Sequence, residues 1–378
     1  MLPALFTLSP AALCELRARA ADDPALQPAL TRLREEADGA LQQAPVSVMD
    51  KELAPPSGDK HDYMSFGPYW WPDPEKEDGL PFIRRDGEVY PGSQAGDRQA
   101  LGAVIAGVET LALAYWYTRN EAYAAHAARL LRVFFLDPAT RMNPHLEYGQ
   151  AIPGRVLGRG VGIIDTGGLP RLVDAIGLLA ASPAWTPTDQ SGMVAWCAAY
   201  LHWLLTSAHG IDEWRAANNH GTYYDMQVAA LALFVGQTDL ARQVLAESTV
   251  RRIEPQIAPD GSQPHELART KALGYSIMNL NGMFALAALG EKVGLDLWRY
   301  VPLHGGGLRA ALDWLAPYAD PAVEWPYPQI VPMSRAALFP LLYRGAIIYR
   351  DPAYEAAIAK LPPDEIAAHR ARLLYRES

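Results

Sequence analysis

Apolar positions recur every three to four residues along most of this chain, and the strict alternation of a half-buried strand is nearly absent. Helices are predicted over roughly 10–21, 25–42, 97–118, 121–136, 169–182, 187–208, 221–235, 238–253, 270–290, 306–318, 334–349, 352–361 and 363–375, with boundaries good to about three residues. Several come in pairs joined by a tight polar turn, as in LALAYWYTRNEAYAAHAARLL (111–131) and ALALFVGQTDLARQVLAEST (230–249). The chain is therefore expected to be all-α. Repeated helical hairpins that close on themselves form an α/α toroid, an incomplete barrel, here as a single domain over residues 1–378. Ser9-Pro10 reads as a helix start, with Ser at the cap and Pro in the first turn. The first twenty residues are as apolar as a signal peptide but lack a basic start, and Glu15, Arg17 and Arg19 stand where a cleavage region would be. Compartment stays open: periplasmic or secreted if a leader has been removed, cytoplasmic otherwise.

Two long segments, 43–96 and 137–168, interrupt the helical rhythm and are rich in Pro, Gly, aromatics and charge. Segments of this length inside a compact domain are usually functional or disordered. Residues 59–74, DKHDYMSFGPYWWPDP, place Tyr63, Phe66, Tyr69, Trp70 and Trp71 in one short stretch, which a solvated linker would not do. The second segment, MNPHLEYGQAIPGRVLGRGVGIIDTGG (142–168), mixes His145, Tyr148, Gln150, Arg155, Arg159 and Asp165 with glycines that permit unusual backbone shapes. Its GRGVG is a poor phosphate loop, since no strand precedes it and no GK[ST] follows. Both segments are expected to form cleft walls.

Charge narrows the function classes. The chain carries 33 Lys+Arg against 42 Asp+Glu, a net charge of −9, whereas general nucleic-acid binding draws its affinity from a basic field. No run of about eighteen uninterrupted apolar residues exists, so no membrane span is expected. Cys14 and Cys197, the two cysteines, support neither a disulfide framework nor a thiolate zinc cluster. The nine histidines form no HExxH pair, and neither a metal nor another cofactor is expected.

The densest chemistry lies in EWRAANNHGTYYD (213–225) and PHELARTKALGYS (264–276). Asn218, Asn219 and His220 open a helix. Arg269 and Tyr275 are six residues apart; on one continuous helix they would stand about 120° apart and about 9 Å along the axis, flanking a groove without touching. In the plainest structural reading, the asparagines cap the helix, His220 is a satisfied polar residue and Tyr275 packs in the core.

These residue types suit one reaction. β-Elimination in a 1,4-linked uronic acid polymer removes a weakly acidic C5 proton beside a charged carboxylate. A site must neutralise that carboxylate with donors, supply a base for the proton and supply an acid for the departing O4. Asn, His, Arg and Tyr cover these roles. Hydrolysis would instead use two opposed carboxylic acids, for which Glu147, Asp165, Asp212, Glu213, Asp225, Glu266 and Glu324 are available. A glycoside hydrolase on the same scaffold, and a helical module that binds acidic glycans without cutting them, are the alternatives.

DKHDYMSFGPYWWPDP, NPHLEYGQAIPGR with GRGVGIIDT, NNHGTYYD and HELARTKALGYS together resemble the alginate lyase superfamily of α/α-toroid polysaccharide lyases, over about residues 55–290. The set looks most similar to polysaccharide lyase family thirty-eight, whose members cleave glucuronan or mannuronate-rich alginate, and more distantly to family five. The resemblance implies a catalytic group of Asn219, His220, Arg269 and Tyr275. Family five carries NNHSYW where this chain has NNHGTYY, which leaves the choice between mannuronate and glucuronate open. For these positions the chemistry suggests that Tyr275 protonates O4, that the C5 base is Tyr275 in a syn elimination or His220 in an anti elimination, and that Asn219 and Arg269 bind the carboxylate. Lys60, His61, Tyr63, Trp70 and Trp71 would cover the cleft, and His145, Tyr148, Gln150, Arg155 and Arg159 would line another wall. Asn218 and His265 would sit close by. The implied partner is an anionic polysaccharide or oligosaccharide.

Overall fold

A computed structural model describes residues 3–376 of the chain. Among them the helices are α1 (Pro10–Arg19), α2 (Gln27–Leu41), α3 (Arg98–Thr118), α4 (Glu121–Leu131), α5 (Leu169–Leu179), α6 (Pro187–Thr206), α7 (Ala208–Trp214) and α8 (Asn219–Phe234). They continue with α9 (Thr238–Ser248), α10 (Glu254–Gln256), α11 (Pro264–Leu267), α12 (Ala272–Lys292), α13 (Leu308–Leu315), α14 (Phe339–Tyr349), α15 (Pro352–Ile358) and α16 (Pro363–Ala367). Four short strands lie in the two long segments: β1 (Met64–Phe66), β2 (Trp70–Trp71), β3 (Ile83–Arg84) and β4 (Tyr148–Ala151). The all-α expectation holds. The helix expected over 187–208 is α6, and a further short helix, α7, follows it: Ser207 leaves the helical region and its side chain caps α7 by accepting the Gly210 N–H at 2.9 Å.

The chain gathers into two compact units, one from residues 39–216 and 231–237, the other from 1–38, 217–230 and 238–378. In the first unit α4 and α5 pack on α3, which buries Leu101, Val104, Val108, Leu111, Tyr115 and Trp116. Arg119, in the left-handed region at φ 58°, ends α3, and the Asn120 side chain caps α4 through the Ala122 N–H, closing the predicted hairpin. The two long segments bind each other: β1 runs parallel to β4, with Met64 opposite Tyr148 and Phe66 opposite Ala151, while β2 pairs antiparallel with β3. Beneath the second segment α6 presents Trp196, Tyr200 and Trp203 on one face, at the i, i+4, i+7 spacing of a helix. Trp196 Nε1 donates to the Met142 carbonyl at 2.8 Å, Tyr200 Oη lies 2.7 Å from Thr166 Oγ1, and Trp203 Nε1 donates to Glu147 Oε1 at 2.6 Å. The segment is thus tied down by the polar edges of two buried aromatics and one half-buried one.

In the second unit α12 is central and packs with α9, α13 and α14, burying Leu280, Met283, Phe284 and Leu286. Asp225 of α8, fully buried, accepts hydrogen bonds from Ser248, Arg251 and Arg252, so its charge is compensated by two guanidinium groups. α1 starts as its sequence predicts, with Ser9 Oγ accepting the Ala12 N–H and Pro10 in the first turn. α3 and α12 are long and apolar enough to cross a membrane by composition, but 67% and 72% of their most apolar windows lie inside the fold. Their hydropathy is that of core helices.

Candidate active site

The Asn-Asn-His run opens α8. Asn218 is the cap: its carbonyl accepts the Gly221 N–H at 3.0 Å and its Oδ1 accepts the His220 N–H at 3.3 Å. Asn219 turns inward and is held by Glu266, whose Oε1 accepts the Asn219 backbone N–H at 2.8 Å while Oε2 accepts its Nδ2 at 2.7 Å. This two-point grip fixes both position and rotamer of Asn219 and leaves one amide hydrogen for another acceptor. Glu266 reaches it from α11, a single turn begun by Pro264. The Gln263 carbonyl takes the N–H groups of Glu266 and Leu267, placing Glu266 inside and His265 on the exposed face. Burial pushes the Glu266 carboxyl above its ordinary value, against the opposing pull of the Asn219 hydrogen bonds and of nearby Arg269 and His220. Sequence reading counted Glu266 only among carboxylates free for hydrolysis; its place three residues before Arg269 was the signal for its role.

Arg269 and Tyr275 do not share a continuous helix, which corrects the expected separation. α11 ends at Leu267 and α12 starts at Ala272, so 268–271 form a non-helical turn that brings Arg269 back over Tyr275. Arg269 Nη2 donates to Tyr275 Oη at 3.0 Å, and its guanidinium carbon stands 4.1 Å from the ring centroid. A buried polar lattice links the segments that carry this chemistry. Thr222 Oγ1 donates to Gln256 Oε1 at 3.1 Å, Asn279 Nδ2 donates to Gln256 Oε1 and Gln263 Oε1 at 3.0 and 2.9 Å, and Gln263 Nε2 donates to the Ser276 carbonyl at 3.0 Å. Such a network resists independent motion of 219–222, 263–269 and 275–279. Asn219, His220, Arg269 and Tyr275 accordingly belong to one unit.

Asn218 and His265 belong to the same unit, and the remaining sequence-predicted residues to the first. Lys60 Nζ donates to the Met49 carbonyl at 3.4 Å, and His61 Nδ1 lies 2.7 Å from the Arg141 carbonyl. His145 Nε2 lies 2.9 Å from Asp62 Oδ1, and Tyr148, half-buried, begins β4. Trp70 carries the guanidinium carbons of Arg155 and Arg159 at 5.3 and 5.9 Å from its ring. Trp71 packs on Tyr90, with Arg85 over its face and its indole N–H on the Glu88 carbonyl.

Two of these residues, Tyr63 expected in the cover of the cleft and Gln150 expected on its other wall, are interior instead. Tyr63 is 0% exposed and its hydroxyl donates to Asp165 Oδ2 at 3.1 Å, so its ring offers no face to a sugar. Gln150 is 4% exposed: its Nε2 donates to Asp165 Oδ1 at 3.0 Å, and its Oε1 and carbonyl receive Arg159 Nη2 and Nε at 2.9 and 3.0 Å. Asp165, which also accepts from Ser65 Oγ at 2.6 Å, therefore orients Arg159 through Gln150. The glycines nearby serve close approach. A Cβ on Gly158 would lie 1.8 Å from the Glu147 carbonyl oxygen, and one on Gly162 would lie 2.5 Å from the Gly149 carbonyl carbon. GRGVG is where two backbone runs cross.

Comparison with known proteins places the chain as a whole. The alginate lyase family model matches residues 47–325. An alginate lyase from Bacteroides ovatus, known by crystal structure, is 41% identical and superimposes with a TM-score of 0.95 over 100% of both chains. Alginate lyase A1-III from Sphingomonas species A1 is 16% identical, with a TM-score of 0.60 over 96% of this chain and 94% of that one. A histidine-to-alanine variant of alginate lyase A1-III, complexed with a tetrasaccharide, is likewise 16% identical, with a TM-score of 0.65 over 100% of this chain and 98% of that one. No curated protein sequence matches significantly. The more distant structures share the helical-toroid fold alone, whereas the family model and the 41% identical structure carry descent, and the chain belongs to the alginate lyase family of polysaccharide lyases.

Proposed function

We propose that the chain cleaves 1,4-linked uronic acid polymers, glucuronan or mannuronate-rich alginate, by β-elimination, and that its nearest functional kin are the lyases of family thirty-eight. The observation that carries this reading is the Arg269–Tyr275 hydrogen bond, beside an asparagine locked in place by Glu266. Asn219 and Arg269 donate to the uronate carboxylate and so make the C5 proton more acidic. Proton abstraction breaks C5–H; its electron pair becomes the C4=C5 double bond as C4–O4 breaks, and the leaving oxygen takes a proton from the Tyr275 phenol. In glucuronate and mannuronate H5 and O4 lie on the same face of the ring. One tyrosine, as phenolate beside Arg269, can take the first and, now a phenol, protonate the second. In guluronate they lie on opposite faces, and His220 is then the base.

Trp70, Arg155 and Arg159 supply an aromatic and cationic surface suited to anionic sugar rings. The tetrasaccharide bound to the A1-III variant supports an oligosaccharide ligand of similar size here. Four of the seven carboxylates named for hydrolysis are otherwise engaged: Asp165, Asp225 and Glu266 accept several hydrogen bonds each, and Glu147 takes the Trp203 indole. The polypeptide crosses between its two compact units at 38/39, 216/217, 230/231 and 237/238, which supports treating residues 1–378 as one lyase domain.

The test is incubation with polyglucuronate, polymannuronate, polyguluronate and hyaluronan. New ultraviolet absorbance from a 4,5-unsaturated uronide is expected on one of the first two. Reducing ends without that absorbance would make the protein a hydrolase, and binding with neither would make it a glycan-binding module.

A further inference from the structure

The turn between Arg269 and Tyr275 is clamped from outside by chain that lies far along the sequence. The Ala272 N–H donates to the Pro328 carbonyl at 2.9 Å, and the Ile330 N–H donates to the Thr270 carbonyl at 3.0 Å. Lys271 and Gln329 face each other as an isolated antiparallel bridge. Gln329 Oε1 accepts the Leu273 N–H at 3.1 Å, while its Nε2 donates to the Val331 carbonyl at 2.8 Å, which holds the side chain in that pose. These strap residues, 328–331, fall beyond the stretch matched by the family model, which ends at 325.

Ala272 and Leu273 open α12, and the first N–H groups of a helix have no acceptor within it. A local cap would fill that need, but the residue in the capping position is Lys271, whose side chain has no oxygen and makes no capping bond. Pro328 and Gln329 supply both acceptors instead. The strap is itself held in place: Trp325 packs against Trp314, Tyr318 and Tyr327 with ring centroids 5.8, 4.7 and 5.3 Å away. On the far side Ser334 caps the next turn through the Ala336 N–H.

We propose that Gln329 is a positioning residue for the reaction: by capping α12 from a distance it sets the path of 270–274 and thereby the contact between Arg269 and Tyr275. The inference rests on the reading of Tyr275 as the residue that moves the proton. Gln329 touches neither Arg269 nor Tyr275 in any of these bonds and acts through the backbone between them.

The experiment is steady-state kinetics of full-length Gln329→Ala on the uronan that the wild-type chain cuts best, with Gln329→Glu and Tyr275→Phe in parallel. Gln329→Ala is expected to lower kcat by roughly five- to thirtyfold, the equivalent of one lost helix cap, with KM within about twofold of wild type. Gln329→Glu keeps an acceptor oxygen for the Leu273 N–H but gives up the donor to the Val331 carbonyl, and is expected to recover part of the loss. Should Gln329→Ala fail to fold, Gln329→Met, of similar length without the oxygen, carries the same test. Wild-type kcat in either folded variant overturns the proposal, and so does a loss that Gln329→Glu leaves unrepaired. Tyr275→Phe separates the two readings. If it retains turnover, the reading of Tyr275 falls; if it is inactive while Gln329→Ala is unaffected, only the positioning role falls.

Discussion

Arg269 and Tyr275 are hydrogen-bonded at 3.0 Å because the chain between them is not helical until Ala272. On a continuous helix the same six-residue spacing would hold them about 9 Å apart along the axis. The break brings two otherwise flanking side chains into direct contact, with the guanidinium over the tyrosine ring.

The first expectation concerns that phenol. Tyr275→Phe removes one hydroxyl and keeps the ring, so the fold should survive while turnover drops by about 10²–10⁴, the usual share of one positioned acid or base. Oligosaccharide binding should stay near wild type. A parallel His220→Ala variant, assayed on each uronate epimer, assigns the base: loss confined to polyguluronate would place His220 there alone. Near wild-type turnover in folded Tyr275→Phe would sink the assignment.

Glu266 should matter through Asn219. Glu266→Gln replaces one acceptor oxygen with an amide donor, which faces another donor at Asn219, and a hydrogen bond to a charged group is worth about 1.5–3 kcal/mol. A kcat loss of about ten- to a hundredfold is expected. Burial raises the Glu266 carboxyl above its ordinary value, so it takes up a proton at a higher pH than an exposed glutamate would, and the wild-type rate should fall with decreasing pH as the grip on Asn219 loosens. If Glu266→Gln keeps both wild-type kcat and the acid limb of the pH profile, Asn219 does not depend on it.

Trp70 offers an aromatic face beside Arg155 and Arg159. Trp70→Ala should raise KM by about three- to tenfold and leave kcat nearly unchanged, in line with about 0.5–1.5 kcal/mol for an aromatic contact. Indole fluorescence of the wild-type chain should respond to an oligosaccharide and lose most of that response in the variant. Unchanged KM would make Trp70 a packing residue of its segment.

A stability test lies away from the chemistry. Lys51 and Asp97 form a buried pair, Nζ to Oδ2 at 3.0 Å and 2% exposed on each side, with Lys51 also donating to the Val48 and Lys60 carbonyls. Lys51→Met leaves a buried carboxylate unpaired, at a cost of about 3–5 kcal/mol, visible as a lower Tm. Burial pushes Asp97 up to about 6 even with its partner present. A folded-state value above the unfolded one favours the protonated form on folding, so this contribution is present below about pH 4 and is lost as pH rises through about 6. The deficit of Lys51→Met should therefore be smaller at pH 5 than at pH 8. A pH-independent deficit would mean that Asp97 finds another partner.

Local chemistry made the helices legible. A period of three to four residues reports which face of a helix is buried, and caps such as Ser9 and Asn120 act within three residues of themselves, so both can be read from a short window. The four ordered motifs carried the family for the same reason: each is a contiguous string. The break at 268–271 was less visible, because Arg, Thr and Lys are tolerated inside helices and no Gly or Pro stands there to mark the end.

What the tertiary structure alone decided are the partners of residues far apart in the chain. Tyr63 belongs to Asp165, 102 residues away, and is buried; Asn219 belongs to Glu266, 47 away; Leu273 takes its cap from Gln329, 56 away. No local pattern announces such pairs, because the energy that selects them is the cost of burying a polar group without a partner, and that cost exists only once the backbone has brought the two segments together. The residue types needed for the chemistry were written in order along the chain. Which of them are interior supports, and which present their atoms to a substrate, depended on packing.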